Sequence, residues 1–543
     1  MSLLKSSLFF AVGTFLSRIS GLVRESVLGG VFGASLLLDS FLVAFRIPNL
    51  FREMLAEGAL ASAFTKVYSQ VSEIDKTRAT QLLVQTFYLF SLFSMLISVL
   101  GVIFAPYLVK AMSINLPPEY SEGFLRNATG LTRIVFPFLG IAMLGSIFMG
   151  ALHQKGSFFT SAVSPICFNL GYILGALVLA GIFEEWSPPW MLENFGEPKI
   201  VGLAVGVMIG GFCQLLVQIY ACKEKLENID FGLFRRLPWS SDLKDVVKLM
   251  IPASIAAGAG PVNVFINTNF ATSLGEGAVS WLSYAFRLLQ LPIGLFGVAI
   301  GVAVLPSLSR MIASNGKVVN HEVTGKLLEA LAMVAFLMMA CFAFLLVNAE
   351  YVIALLFKHG AFSLQDTINT SEALFAYSFG ILAYGMIKVM SSFYYAVERT
   401  KFAMKTAIIG IALNLIGNLL LVEKFRHVGL AYTSSLTLSF NAGFLVLGLY
   451  PYREHFSWAP IVRFIVLLLT GTVAAIVLQK IMITALGQFF IIELNKVDSI
   501  VVLSANGVLL VLSFAMIAKL IIGKSWKELG QSFRQLRKRS NKS

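Results

Sequence analysis

Between residues 17 and 57 the sequence sets Ser17, Arg18, Arg24, Glu25, Asp39, Arg46, Asn49, Arg52, Glu53 and Glu57 into two segments otherwise apolar enough to span a bilayer. Guanidinium groups are fork-shaped donors that keep their charge when desolvated and grip phosphate through two parallel hydrogen bonds. An ionised side chain at mid-membrane costs about 2.5–3.5 kcal/mol even on lenient insertion scales, so this concentration implies water, partners or a ligand inside a helix bundle. The chemistry indicated is recognition of an anion. No catalytic constellation accompanies it: His153, His321, His359, His427 and His455 are scattered over span ends and loops, and no zinc-hydrolase, nucleophile-elbow or phosphate-loop motif occurs.

Helical spacing sorts these residues. Ser17, Gly21 and Arg24 share one stripe, with Arg18 and Glu25 on a neighbouring one. Arg46, Asn49, Glu53 and Glu57 recur on one face of the next segment, and Arg52 joins Asn49 beside it. Mutual pairing of Arg46 or Arg52 with Glu53 or Glu57 is the plainer alternative, as is anchoring of a helix end by Arg24 and Glu25. Much later, Arg287 heads a face running through Gln290, Gly294, Gly297 and Gly301. Such a glycine track admits a partner helix or an acyl chain, or it simply packs tightly. Substrate contacts are therefore expected at Ser17, Arg18, Arg24, Arg52 and Arg287, with Glu25, Asp39, Asn49, Glu53 and Glu57 as gating groups or charge partners. The acids offset only part of the positive charge, so a di-anionic headgroup fits better than an organic cation. Asn414 and Asn418, one turn apart, form a weak candidate site for a monovalent cation, although such pairs more often lock helices.

The elements that must position these groups are membrane helices. Of 543 residues 57% are apolar and 13% charged, and the mean hydropathy is +0.80, values foreign to a soluble domain. About fourteen stretches are long and apolar enough to span: 6–30, 33–68, 80–111, 126–153, 158–183, 200–220, 246–273, 278–311, 324–347, 370–397, 402–422, 428–450, 461–484 and 500–522. Pro48, Pro292 and Pro306 are expected breaking points in the two longest. The formal charge of +13 concentrates in alternate loops, which puts both termini in the cytoplasm. Its densest clusters, Lys223, Lys225, Arg235 and Arg236 and then Arg534, Arg537, Lys538 and Arg539, read as anchors for anionic membrane lipids and not as a nucleic-acid surface. Charges interrupt the first apolar run, so it is expected to persist rather than be cleaved as a signal peptide. The four cysteines, Cys167, Cys213, Cys222 and Cys341, have neither disulfide nor metal spacing. Without a nucleotide site, energy must come from an ion gradient, the membrane potential or the substrate's own downhill flow, and no cofactor is expected.

An internal repeat organises the spans. Ala44, Phe45 and Arg46 recur as Ala285, Phe286 and Arg287; Gly140, Ile141 and Gly145 as Gly380, Ile381 and Gly385; Ala151, Asn169 and Leu170 as Ala396, Asn414 and Leu415; Val201 to Ala204 as Val428 to Ala431. The order is kept throughout. An even number of spans per copy makes the repeats parallel, the arrangement of transporters with a central cleft between two bundles. The expected architecture is an all-α polytopic membrane protein: bundles at 1–224 and 225–455, two additional spans within 456–523, and a basic cytoplasmic tail at 524–543.

Three long runs resemble one family. Ser-Arg-Ile-Ser-Gly-Leu-Val-Arg-Glu from Ser17, Phe-Arg-Ile-Pro-Asn-Leu-Phe-Arg-Glu-Met-Leu-Ala-Glu-Gly-Ala from Phe45, and Leu-Pro-Ile-Gly-Leu-Phe-Gly-Val-Ala-Ile-Gly from Leu291 are similar to MurJ (MviN), the bacterial lipid II flippases of the multidrug/oligosaccharidyl-lipid/polysaccharide exporter superfamily. The resemblance implies a fourteen-span inner-membrane protein that moves undecaprenyl-diphosphate-linked disaccharide-pentapeptide to the outer leaflet for peptidoglycan synthesis. It implies essential cleft roles for Ser17, Arg18, Arg24, Asp39, Arg52 and Arg287, an acidic partner at Glu25, and a groove for the polyprenyl tail formed by 461–484 and 500–522. Two departures stand out. Phe286 occupies a position that is acidic in many relatives and Gln290 one where some have Glu, and Asn418 stands where some carry a sodium-binding aspartate, which weakens the case for sodium coupling.

The leading expectation is a non-enzymatic lipid II flippase working by alternating access, with lipid II, membrane lipids and other cell-wall synthesis proteins as partners. Export of another polyprenyl-diphosphate oligosaccharide, or cation-coupled drug export, is the alternative transporter. A non-transporting scaffold for cell-wall synthesis is the alternative from another class.

Overall fold

Hydrocarbon offers no partner to a backbone amide, so a chain this apolar must satisfy its peptide groups within each segment, as a helix does. Every regular element in the computed structural model, which describes residues 3–154, 158–195, 197–223, 240–489 and 494–521, is helical. Lys225, Arg235, Arg236 and the 524–543 tail with Arg534, Arg537, Lys538 and Arg539 lie outside the described residues. Among the described residues nine helices are long and apolar enough to cross a membrane, or ten if the pair Leu364–Ser378 and Ile381–Ala396, bent by 45°, is one span. The chain is an all-α multi-pass membrane protein. The Leu3–Phe32 helix, which carries Arg18, Arg24 and Glu25, is not one of the nine. The Thr400–Leu447 helix counts once but is broken at Arg426 (φ 50°, ψ −131°), so its two arms correspond to the expected spans 402–422 and 428–450.

The prolines do something other than break helices. Past Pro48 the Leu36–Phe51 helix widens into a π segment, Arg52–Leu60, and past Pro292 the Ala278–Pro292 helix does so at Ile293–Val298. A proline lacks an amide hydrogen and frees the carbonyl one turn earlier, and a wider turn is one way to absorb the mismatch without ending the helix. Pro306 sits inside the Ala299–Ser314 helix with no break at all.

Two compact units emerge. The first comprises Met1–Trp281 with His359–Asp366, the second Leu282–Lys358 with Thr367–Ser543. This division does not follow the 224/225 boundary of the sequence repeat. The Ser241–Ala257 helix packs on Arg52–Leu60 and Ala61–Ile74, and Asp242 takes both a 2.7 Å bond from Arg78 Nε and one from Arg78 Nη2. The short His359–Asp366 segment joins the first unit just as specifically. Ala361 N donates to Gly30 O at 2.8 Å, and Trp281 Nε1 to Asp366 Oδ1 at 2.9 Å.

A glycine seam closes the first unit. Gly171 and Gly175 face Gly202, Gly206 and Gly210 of the Lys199–Ala221 helix so closely that a Cβ on Gly171 would lie 2.3 Å from Gly210 Cα. Close backbone approach of this kind substitutes for the hydrophobic effect, which does not drive helices together in lipid. The second unit is built on the His321–Phe357 helix, against which Trp458–Phe489 and Lys496–Ile521 pack through Met339, Ala343, Leu468, Ala475, Phe514 and Ile517. A fully buried clasp fixes their register: Asn348 Nδ2 donates to Gln479 Oε1 at 2.9 Å, and Asn506 Nδ2 to Asn348 Oδ1 at 2.6 Å.

The seam is testable with an internal control. Gly206→Val should lower the unfolding temperature of detergent-solubilised protein by several degrees, because its Cβ would sit 2.5 Å from Gly171 O, whereas Gly181→Val, with nothing within 4 Å, should leave it unchanged.

Candidate functional site

The Leu3–Phe32 helix carries Ser17, Arg18, Arg24 and Glu25 on one uninterrupted cylinder. Arg24 is 8% exposed and forms an ion pair with Glu25. Its Nη1 donates to Asn169 Oδ1 at 2.9 Å, and its guanidinium lies 4.7 Å from the Tyr172 ring centre. Asn169 reaches back with Nδ2 to Ser20 Oγ at 2.8 Å and to Ser17 O at 3.3 Å. The Arg24 cation is thus met by an acid, an amide and a π face together, behind an aromatic wall of Phe41, Phe45, Phe138 and Phe168. Arg18 and Ser17 remain half-buried on the same helix. In this conformation Arg24 organises the interior, while Arg18 is the more approachable cation.

The π segment decides the second cluster. Arg52 Nη1 donates to Glu57 Oε1 at 2.6 Å, and Arg52 Nε to Asn49 Oδ1 at 3.0 Å; Asn49 Nδ2 in turn donates to Glu53 Oε1 at 2.8 Å. Residues five apart on an α-helix point about 140° away from each other, but in a π-helix, bonded i to i+5, they stack. The Arg52–Glu57 pair therefore depends on the wide turn that follows Pro48. Sequence reasoning at a 3.6-residue period could weigh such pairing but not select it. Arg46 Nη1 instead donates 2.7 Å across to Thr268 Oγ1 on the Ala259–Thr272 helix. The Arg52 side chain is 26% exposed and that of Glu57 51%, so this ion pair is open to water and weak.

Asp39 is 1% exposed, and its partners are donors of neutral groups. It accepts from Gly277 N at 2.7 Å, Ser280 N at 2.7 Å and Ser280 Oγ at 2.5 Å. A carboxylate there satisfies the orphan amides at the start of the Ala278–Pro292 helix and meets the positive end of its dipole. That helix carries Arg287, exposed, in the second unit. Part of its glycine track is already filled by protein: a Cβ on Gly297 would lie 3.2 Å from Gly385 Cα, and one on Gly301 2.9 Å from Lys388 O. Asn414 and Asn418 are buried, with Asn418 Nδ2 donating to Asn414 Oδ1 at 3.2 Å. Among the described residues no three His, Cys, Asp or Glu side chains converge as a metal site. Asn169 and Tyr172, the residues that hold Arg24, were visible in the sequence only as a repeat marker and an ordinary aromatic; their role needs the packing of two helices about 150 residues apart.

A family model described as Lipid II flippase MurJ matches residues 29–497. The chain belongs to the MurJ family of lipid II flippases. A lipid II flippase of this family from Burkholderia cenocepacia is 32% identical over 454 residues, covering 83% of this chain and 84% of that protein. A probable lipid II flippase from Buchnera aphidicola is 31% identical over 454 residues, covering 82% and 83%. In fold the chain is similar to a MurJ solved in an inward closed conformation, with a TM-score of 0.74 at 22% identity over 95% of this chain and 99% of that one. It is also similar to an inward-facing multidrug transporter of the MATE family, with a TM-score of 0.61 over 84% and 96%. Members of the family are lipid II flippases, transporters and not enzymes.

Asp39→Ala leaves two buried amides without an acceptor, a loss of about 1–3 kcal/mol for each orphaned group. A clear fall in unfolding temperature is expected, with Asp39→Asn intermediate because its amide oxygen still accepts one bond; thermal denaturation in detergent checks the order.

Proposed function

We propose that this protein translocates lipid II, the undecaprenyl-diphosphate-linked disaccharide-pentapeptide, from the inner to the outer leaflet of the bacterial cytoplasmic membrane by alternating access. The observation that carries this reading is the match to the lipid II flippase family over residues 29–497, and the chemistry of the arginines supports it. A diphosphate is the anion best suited to forked donors that stay charged out of water. Arg18, Arg52 and Arg287, all at least partly exposed, are the proposed diphosphate contacts, with Ser17 beside them and Arg24 held ready by Glu25, Asn169 and Tyr172. Glu53 and Glu57 occupy Asn49 and Arg52 until the substrate anion displaces them, which makes this cluster the proposed gate. The fourteen-span count, with two parallel six-helix repeats, two added helices for the lipid tail and both termini in the cytoplasm, belongs to this proposal. So does coupling to the membrane potential or to a monovalent cation. Asn414 and Asn418, bonded to each other along one turn of a single helix, are the proposed cation site.

Depleting the protein in cells should abolish the appearance of lipid II at the outer leaflet, measured by its accessibility to an external enzyme; undiminished flipping rejects the assignment. A charge exchange separates structure from transport at the gate. If Arg52 serves only to hold Glu57, the double variant Arg52→Glu/Glu57→Arg keeps the pair and complements. If Arg52 binds the substrate diphosphate, the double variant is stably expressed yet fails to support growth, as does Arg52→Ala.

A further inference from the structure

Lys388 lies midway along the Ile381–Ala396 helix of the second unit, with Tyr384, Gly385, Met386, Ile387, Val389 and Met390 around it in sequence. Its stem rests on the glycine track described above. A Cβ placed on Gly301 would stand 3.5 Å from Lys388 Cβ, and one on Gly297 3.8 Å from Lys388 Cγ. Ser392 Oγ donates to Gly301 O at 2.7 Å and locks the two helices together, so the lysine stands on a rigid base. Its Nζ lies 5.1 Å from the Tyr384 ring centre. No carboxylate forms an ion pair with it among the described residues, and Glu398, the acid near the end of its own helix, is engaged by Lys317 Nζ at 3.1 Å.

An ammonium within a membrane-spanning helix is costly, and a ring face offsets only part of that cost. Replacing it by methionine would fill the same space without the penalty, so its presence calls for an anion that arrives from outside the protein. Resting on the lipid II reading, we propose that Lys388 is a cargo-binding residue of the second unit, whose ammonium contacts an anionic oxygen of the translocated lipid, either of its diphosphate or of a carboxylate in its peptide. As a compact point charge with three rotatable donors it tolerates an oxygen in several orientations, unlike the fixed fork of Arg287. That tolerance suits a group that must be held while it moves.

Full-length wild type, Lys388→Met, Lys388→Gln and Lys388→Arg, purified in nanodiscs, are compared for binding of lipid II and of undecaprenyl diphosphate, and for thermal unfolding. Lys388→Met and Lys388→Gln should bind at least about tenfold more weakly, the scale of one charge-assisted hydrogen bond, with an unfolding temperature equal to or above wild type. Lys388→Arg should recover most of the binding. Weakening with both lipids assigns the contact to the diphosphate, and weakening with lipid II alone to the peptide carboxylates; either supports the proposal. Unchanged binding by Lys388→Met, or a loss that Lys388→Arg does not recover, overturns it. Wild type that binds neither lipid overturns the lipid II reading and this inference with it, which distinguishes the two failures.

Discussion

A charge that cannot reach water must find a partner, and this constraint shapes the whole molecule. The hydrocarbon interior tolerates Arg24 only because Glu25, Asn169 and the Tyr172 face surround it, and those three come from two helices that must therefore keep a fixed relation. Asp39 obeys the same rule with a different solution, its charge spread over two amides and a hydroxyl at a helix start. Where water has access, as at Arg52 and Glu57, the partnership is loose. The protein thus grades its charges from locked, at Arg24 and Asp39, to loosely paired, at Arg52 and Glu57.

The wide turns after Pro48 and Pro292 show how local backbone chemistry feeds that grading. One missing amide hydrogen in each helix is absorbed by a π segment. In the first, the change of pitch brings Arg52 over Glu57; after the second, Gly297 and Gly301 lie against the Ile381–Ala396 helix. The two segments fall at corresponding places in the sequence repeat, after Ala-Phe-Arg in each copy. The copies have diverged in charge, since Arg52, Glu53 and Glu57 in one stand against an apolar Ile293–Val298 in the other.

Elsewhere the stability of the fold rests on close backbone contact and buried amide bonds. The Gly171–Gly210 seam and the Asn348–Gln479–Asn506 clasp do what a hydrophobic core does in water, because in lipid the apolar side chains gain little by leaving the solvent. The clasp also explains how two helices with no counterpart in the repeat are held: one asparagine of the His321–Phe357 helix bonds to both.

By itself the sequence determined the all-helical membrane class and the family, because those follow from apolar length and from long specific runs. It also carried the repeat, which is a property of residue order. What only the tertiary structure decided was the partner of each charge. Arg24 finds Asn169, Asp39 finds Gly277 and Ser280, and Ser241–Ala257 packs with the first unit, all through contacts far apart in the chain that no periodicity encodes. Even the near pair Arg52–Glu57 was only one of several pairings open at a 3.6-residue period, since a single proline altered the pitch that selects among them.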